Sequence, residues 1–132
     1  MKFIFVLFFL VFISKSWGSQ AQEKIICNLS GNQMELNICA WDEFNKNDSE
    51  LNKLYQEKIT SLNNQEYPEY KDRLKKAQQA WIKFRDATCL YEVGARGIES
   101  GSMWPMNQAY CKAELTKARI KTLKDYVKKT TH

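Results

Sequence analysis

An unbroken apolar run, Phe3 to Ile13, opens the chain, and beyond it apolar residues recur mostly at three- and four-residue spacing. That is the period of a helix buried on one face. The first such stretch starts near Asn32, where Asn32-Gln-Met-Glu35 has the form of a capping box, and continues through Met34, Ile38 and Trp41. A second N-cap candidate, Asp48, precedes Leu51, Leu54, Tyr55, Ile59 and Leu62. Asn45 to Asp48 is therefore either a break between two helices or a bend within one, and the pattern allows both. Another helix is predicted from near Pro68, a favoured first-turn residue, to about Val93. Its apolar positions are Tyr70, Leu74, Ala77, Trp81, Phe84, Thr88 and Tyr91. Gly94, Gly97 and Gly101 then interrupt the pattern. A last helix begins near Pro105 and carries Ala109, Leu115, Ala118 or Arg119, Leu123 and Tyr126. No stretch alternates in the manner of a strand. The fold class is all-α, a small antiparallel bundle of three or four helices.

The opening run has a different meaning. Lys2 stands before it, and small residues follow at Ser16-x-Gly18 or Ser19-x-Ala21, the form of a secretory signal peptide. As a helix it would cross only about half of a bilayer core, which takes ~20 residues to span. Residues 1–21 are expected to be removed by cleavage after 18 or 21. Residues 22–132 are then one exported domain, periplasmic or secreted, with no stable membrane anchor. Lys2 and Lys15 leave with the leader, which lowers the formal charge from +5 to +3. Residues 27–57 hold six acids against Lys46 and Lys53, whereas 111–132 hold seven bases against Glu114 and Asp125. A basic terminal stretch usually suggests nucleic acid. Export argues against that partner, and a solvated helix face is the preferred reading.

Candidate chemistry is sparse. The sole histidine is the last residue, His132, so serine or cysteine triads lack a resident imidazole. Asp42-Glu43 and Asp48/Glu50 fall on polar faces beside Asn and Lys, with no apolar pocket to raise a carboxyl pKa. No catalysis, cofactor or metal is expected. Four cysteines in a small exported chain read as two disulfides, and the absence of any CxxC or CxxH pair disfavours zinc. Antiparallel helices joined by a loop centred near residue 100 bring together positions summing to about 200. Cys89 and Cys111 satisfy that rule, which leaves Cys27 with Cys39. This is the favoured one of three possible connectivities. The same rule sets Trp81 opposite Arg119 and Leu74 opposite Tyr126.

Gln78, Trp81, Arg85 and Asp86 cluster on one long helix. Arg85 is expected to be partly buried and held by carbonyls or a carboxylate of the first helix, because a buried charge needs a partner. Asp48, Asn52, Tyr55 and Arg119 are expected to join the same interior network. The loop 94–104 is Gly-rich, braced by the expected Cys89–Cys111 bridge, and carries Arg96, Glu99 and Trp104. Aromatic and Arg residues on a constrained loop are typical of binding hot spots. The competing reading folds Trp104 back onto the helix hairpin.

Asp48-Ser-Glu-Leu51-Asn52-Lys-Leu-Tyr55 resembles a D-x-x-L-N-x-x-Y segment of the LprI-like family of small exported bacterial proteins. Leu74-Lys-Lys-Ala77-Gln78-Gln-Ala80-Trp81-Ile-Lys-Phe84-Arg85-Asp86-Ala-Thr-Cys89 resembles its L-x-x-A-Q-x-A-W-x-x-[FY]-R-D-x-x-C core. Gly101-Ser102, Cys111 and Leu115-Thr116-x-x-Arg119-x-x-x-Leu123 complete a likeness that runs from Cys27 to about Leu123. The resemblance implies a helical, disulfide-braced fold. Through the family's namesake, a mycobacterial lipoprotein that inhibits lysozyme, it also implies a protein partner, lysozyme. It assigns inhibition to no motif residue, since the motif reads as packing and disulfide framework. The alternative is a periplasmic scaffold or envelope-associated module that binds protein or glycan without affecting lysozyme. No oligomeric state follows from the pattern.

Overall fold

A computed structural model describes residues 27–62 and 69–129, so the expected leader and its cleavage points lie outside the described residues. Three helices account for most of it: α1, Gln33–Ser61; α2, Glu69–Val93; and α3, Trp104–Lys129. A single 3-10 turn, Ile98–Ser100, lies between the last two. No strand occurs among the described residues.

The capping box forms as the sequence indicates. Asn32 Oδ1 accepts from the backbone N–H groups of Met34 and Glu35, at 2.9 and 3.2 Å, and Glu35 Oε2 accepts from that of Asn32 at 2.8 Å. Caps of this kind contribute about 1 kcal/mol. From there α1 runs unbroken for 29 residues. Residues 45–48 therefore form no break, and Asp48 caps nothing. Neither Gly nor Pro occurs between 33 and 61, and a lone Asn or Asp inside a helix costs under about 0.7 kcal/mol. Asp48 instead spends its carboxylate on Arg85 across the bundle and on Asn52 one turn along α1.

Residues of α1 meet residues of α3 at a nearly constant separation in the chain: Gln33 with Met106, Glu43 with Lys117, Glu50 with Lys124. The two helices are therefore parallel. Pairs between α2 and α3 run the other way, from Cys89–Cys111 through Asp86–Lys112 to Gln78–Arg119. The chain goes up, down and up. Backbones of α1 and α3 pack closely along their length, whereas α1 and α2 approach each other mainly through side chains. Ala40, Ala109 and Ala113, fully buried, permit the close approach of α1 to α3.

An apolar cluster of Leu51, Ile120 and Leu123, with Leu54, Tyr55, Leu74 and Trp81 packed against it, forms the core. The other buried positions depart from the apolar pattern of the sequence. Gln78, Arg85 and Cys89 are the buried residues of α2, while Tyr70, Ala77, Phe84 and Tyr91 of its predicted apolar stripe are exposed. Met34 of α1 and Ala118 and Tyr126 of α3 are exposed as well. Three helices cover only a narrow stripe of each, and on α2 that stripe runs through 78, 81, 85 and 89. The disulfides join Cys27 to Cys39 and Cys89 to Cys111, with no cysteine left free.

Candidate functional site

Between the apolar cluster and the disulfide end lies a charged layer centred on Arg85, which is only 7% exposed. Its Nη1 donates to Asp48 Oδ1 of α1 at 2.9 Å and its Nε to Asp86 Oδ1 at 3.0 Å. The guanidinium also lies over two rings, Phe44 of α1 at 5.2 Å and Trp81 at 5.3 Å. Arg119 of α3 approaches the Trp81 ring at 5.8 Å and donates from Nε to Gln78 Oε1 at 3.1 Å. Asn52 Nδ2 donates to the second oxygen of Asp48 at 3.1 Å, one turn along α1. Tyr55 packs on the apolar cluster rather than on Arg85.

Phe44 and Lys112 belong to this layer, and sequence reasoning missed both. Lys112 Nζ lies 3.4 Å from Asp86 Oδ1 and faces the Phe44 ring at 5.9 Å. The signal for Phe44 was its place one turn before Asp48 on the same helix; nothing local marked Lys112. Partial burial works to raise the Asp86 pKa. The hydrogen bond and charge of Arg85, joined by Lys112, outweigh it and hold the carboxyl below its usual range. Burial lowers the pKa of Arg119, but a guanidinium stays charged throughout. Asp48 and Asp86 thus hold the Arg85 guanidinium from two helices. The layer ties three helices together.

The second candidate region is the loop 94–104. Gly94, at φ +81°, closes α2 in the left-handed conformation that favours glycine, its N–H reaching Leu90 O at 2.9 Å. Two side chains of α3 bond to carbonyls at that helix end. Gln108 Nε2 donates to Cys89 O at 3.0 Å, and Trp104 Nε1 donates to Gly94 O at 3.1 Å. Trp104 is thus half-buried and folded back on the hairpin, with Arg96 over its ring at 5.5 Å. Asn37 of α1 fixes the far side of the loop, donating to Ser102 O at 3.1 Å.

What the loop offers to solvent is Arg96, Glu99 and the fully exposed Ile98, beside Leu90, Tyr91 and Met103. Sequence reasoning did not single out Ile98, although an apolar residue between two glycines is itself a signal. Among the described residues, no helix is long and apolar enough to cross a membrane.

A family model described as "Lysozyme inhibitor LprI" matches residues 27–123, the charged layer, both disulfides and the loop included. An uncharacterized protein of Rhizobium meliloti (strain 1021), R02472, is 37% identical over 108 residues, which cover 75% of this chain and 76% of that one. No solved structure matches. On the breadth of the family match and the relative's coverage, the chain belongs to the lysozyme inhibitor LprI family.

Proposed function

We propose that the protein is an exported binding protein of the periplasm or the extracellular space that inhibits lysozyme by occluding its substrate cleft. The observation that carries this reading is the family match over residues 27–123. The loop 94–104 supports it, because it is held at both ends and by a disulfide, and so loses little freedom on binding. In this reading Arg96 and Glu99 make polar contacts, and Ile98 with Tyr91 supplies the apolar surface beside them. Trp104, with its indole N–H used on Gly94, supports Arg96 from below.

The test is lysozyme activity against cell-wall substrate, titrated with the oxidised mature protein and with a reduced sample as control. Stoichiometric inhibition that weakens on reduction is expected. Arg96→Ala and Ile98→Ala should each weaken it, by about tenfold for a contact near the centre of the interface. Inhibition unchanged in both variants would remove the loop from the mechanism. No inhibition at large molar excess, with helical content intact, would remove lysozyme as the partner.

A further inference from the structure

The bundle leaves one ordered row of side chains uncovered. Along α2, Arg73, Ala77, Ala80, Phe84, Ala87 and Tyr91 recur at alternating steps of four and three, and all six are exposed, Phe84 to 57% and Tyr91 to 90%. On a helix of about 3.6 residues per turn, this row lies a third of a turn away from the buried row through 78, 81, 85 and 89. The second helix therefore turns one stripe to α1 and α3 and another to solvent. Alternating steps of three and four mark the seam along which a helix packs against another helix. A helix needed only for its own bundle has no use for that second seam.

We propose that the exposed seam of α2 is the contact between two copies of this chain, paired antiparallel about a two-fold axis beside residue 82. In that register Phe84 of each copy faces Ala80 of the other, Ala77 faces Ala87, and Tyr91 faces Arg73. Each ring meets a small or a cationic side chain, and every contact is made twice, as a two-fold interface requires. Arg73 already lies over its own Tyr70 ring, at 5.5 Å, so the ring of Tyr91 approaches a guanidinium that is held in place. A parallel pair would instead set Arg73 against Arg73 and Phe84 against Phe84.

Charge favours the same direction. Residues 71–76 hold Lys71, Arg73, Lys75 and Lys76 against Asp72, whereas 86–92 hold Asp86 and Glu92 and no base. Antiparallel pairing lays the basic half of one α2 over the acidic half of the other, which steers the encounter and fixes the register. The area is sufficient for a reversible dimer. The exposed parts of Tyr70, Phe84 and Tyr91 come to about 400 Å2 on each copy, and the alanines, Arg73 and Leu90 bring the pair past the ~1,000 Å2 that a specific interface needs. The inference stands on the face of α2 and holds whether or not lysozyme is the partner. Tyr91 belongs to the loop surface too, so in the inhibitor reading the monomer is the form that binds.

Sedimentation equilibrium of the oxidised mature protein over a concentration series tests this. Wild type should show a monomer–dimer equilibrium, and Phe84→Ser should raise its Kd by about tenfold or more. Ala77→Glu and Ala87→Lys should each weaken the dimer, because each sets a lone charge against an alanine of the other copy. Combined in one chain they should restore it, since the new carboxylate and ammonium then face each other twice across the seam. Within one helix the two positions are about 15 Å apart and cannot pair. The rescue also separates a lost dimer from a lost fold, because a second exposed change repairs only a contact between copies. A wild type that stays monomeric up to about 1 mM would overturn the proposal. So would a Kd indifferent to Phe84→Ser, or a combined variant no tighter than its two parents.

Discussion

Removing Asp48 alone should destabilise the protein more than removing Asp48 and Arg85 together. Arg85 is 7% exposed and its two carboxylate partners are on different helices. Asp48→Ala removes a charge-assisted bond, worth roughly 1.5–3 kcal/mol when it is well buried. The Asp48 side chain is 35% exposed, so water recovers part of that. The guanidinium left behind, however, stays buried with Asp86 as its one remaining anion. A net loss of about 2 kcal/mol follows, which for a domain of this size lowers Tm by roughly 8–16 °C. Arg85→Met removes the buried cation itself and keeps an unbranched side chain between Phe44 and Trp81. Because the desolvation cost of the guanidinium disappears with it, the net loss should be about 1 kcal/mol. In Asp48→Ala/Arg85→Met no buried charge is stranded, and the double variant should fall close to Arg85→Met. Urea unfolding followed by far-UV circular dichroism on all four proteins gives the coupling energy, expected at about 2 kcal/mol. Additive losses, with the double variant at the sum of the singles, would refute the reasoning and show that Arg85 does not depend on Asp48.

Cys89→Ser/Cys111→Ser opens the 22-residue closure around the loop and should cost about 3 kcal/mol by the chain-entropy argument, read as a lower urea midpoint. Acid should reveal Asp86: its folded pKa lies below the unfolded value, so its contribution is complete above about pH 4 and fades as pH falls through the folded value. Midpoints measured from pH 6 to pH 2 should therefore fall less steeply in Arg85→Met than in wild type, and parallel curves would contradict this. Asn47→Leu replaces an unmatched buried amide by an apolar group and should raise stability by about 1 kcal/mol, read as a higher urea midpoint. A variant less stable than wild type would show that the Asn47 amide is already matched.

Element positions were legible in the sequence because their signals are local. The Asn32–Glu35 box, the glycines at 94, 97 and 101 and the proline before Met106 each act within one turn of the chain. Cysteine pairing was legible for a related reason, since a hairpin ties helix register to residue number and Cys89 must then face Cys111. What faces what across helices distant in sequence was not legible. A period near 3.6 admits both the 77–84–91 row and the 78–85 row of α2, and hydrophobicity favours the first. The structure buries the second, because Arg85 finds Asp48 on a helix 37 residues away and Gln78 finds Arg119 41 residues away. Trp104 shows the same limit in the candidate site. An exposed hot-spot residue and a helix cap have identical local sequence, and the decision rests on Gly94 O being within 3.1 Å of the indole.

Why the proposed binding loop lies at one end of the bundle follows from how stability is layered. Apolar burial is concentrated around Leu51, Ile120 and Leu123. The Arg85 layer comes next along the axis, and beyond it the buried apolar residues are small: Ala40, Ala109, Ala113, Cys39 and Cys89. Small side chains bring α1 and α3 close but remove little apolar surface from water. The two disulfides supply at that end what hydrophobic burial does not, and they leave the adjacent side chains free of packing duty. Ile98, Tyr91 and Met103 are exposed there, and so are Asp42 and Glu92. A covalently braced end with uncommitted side chains and a packed end that needs no brace is the division of labour expected of a small protein that binds a partner without remodelling.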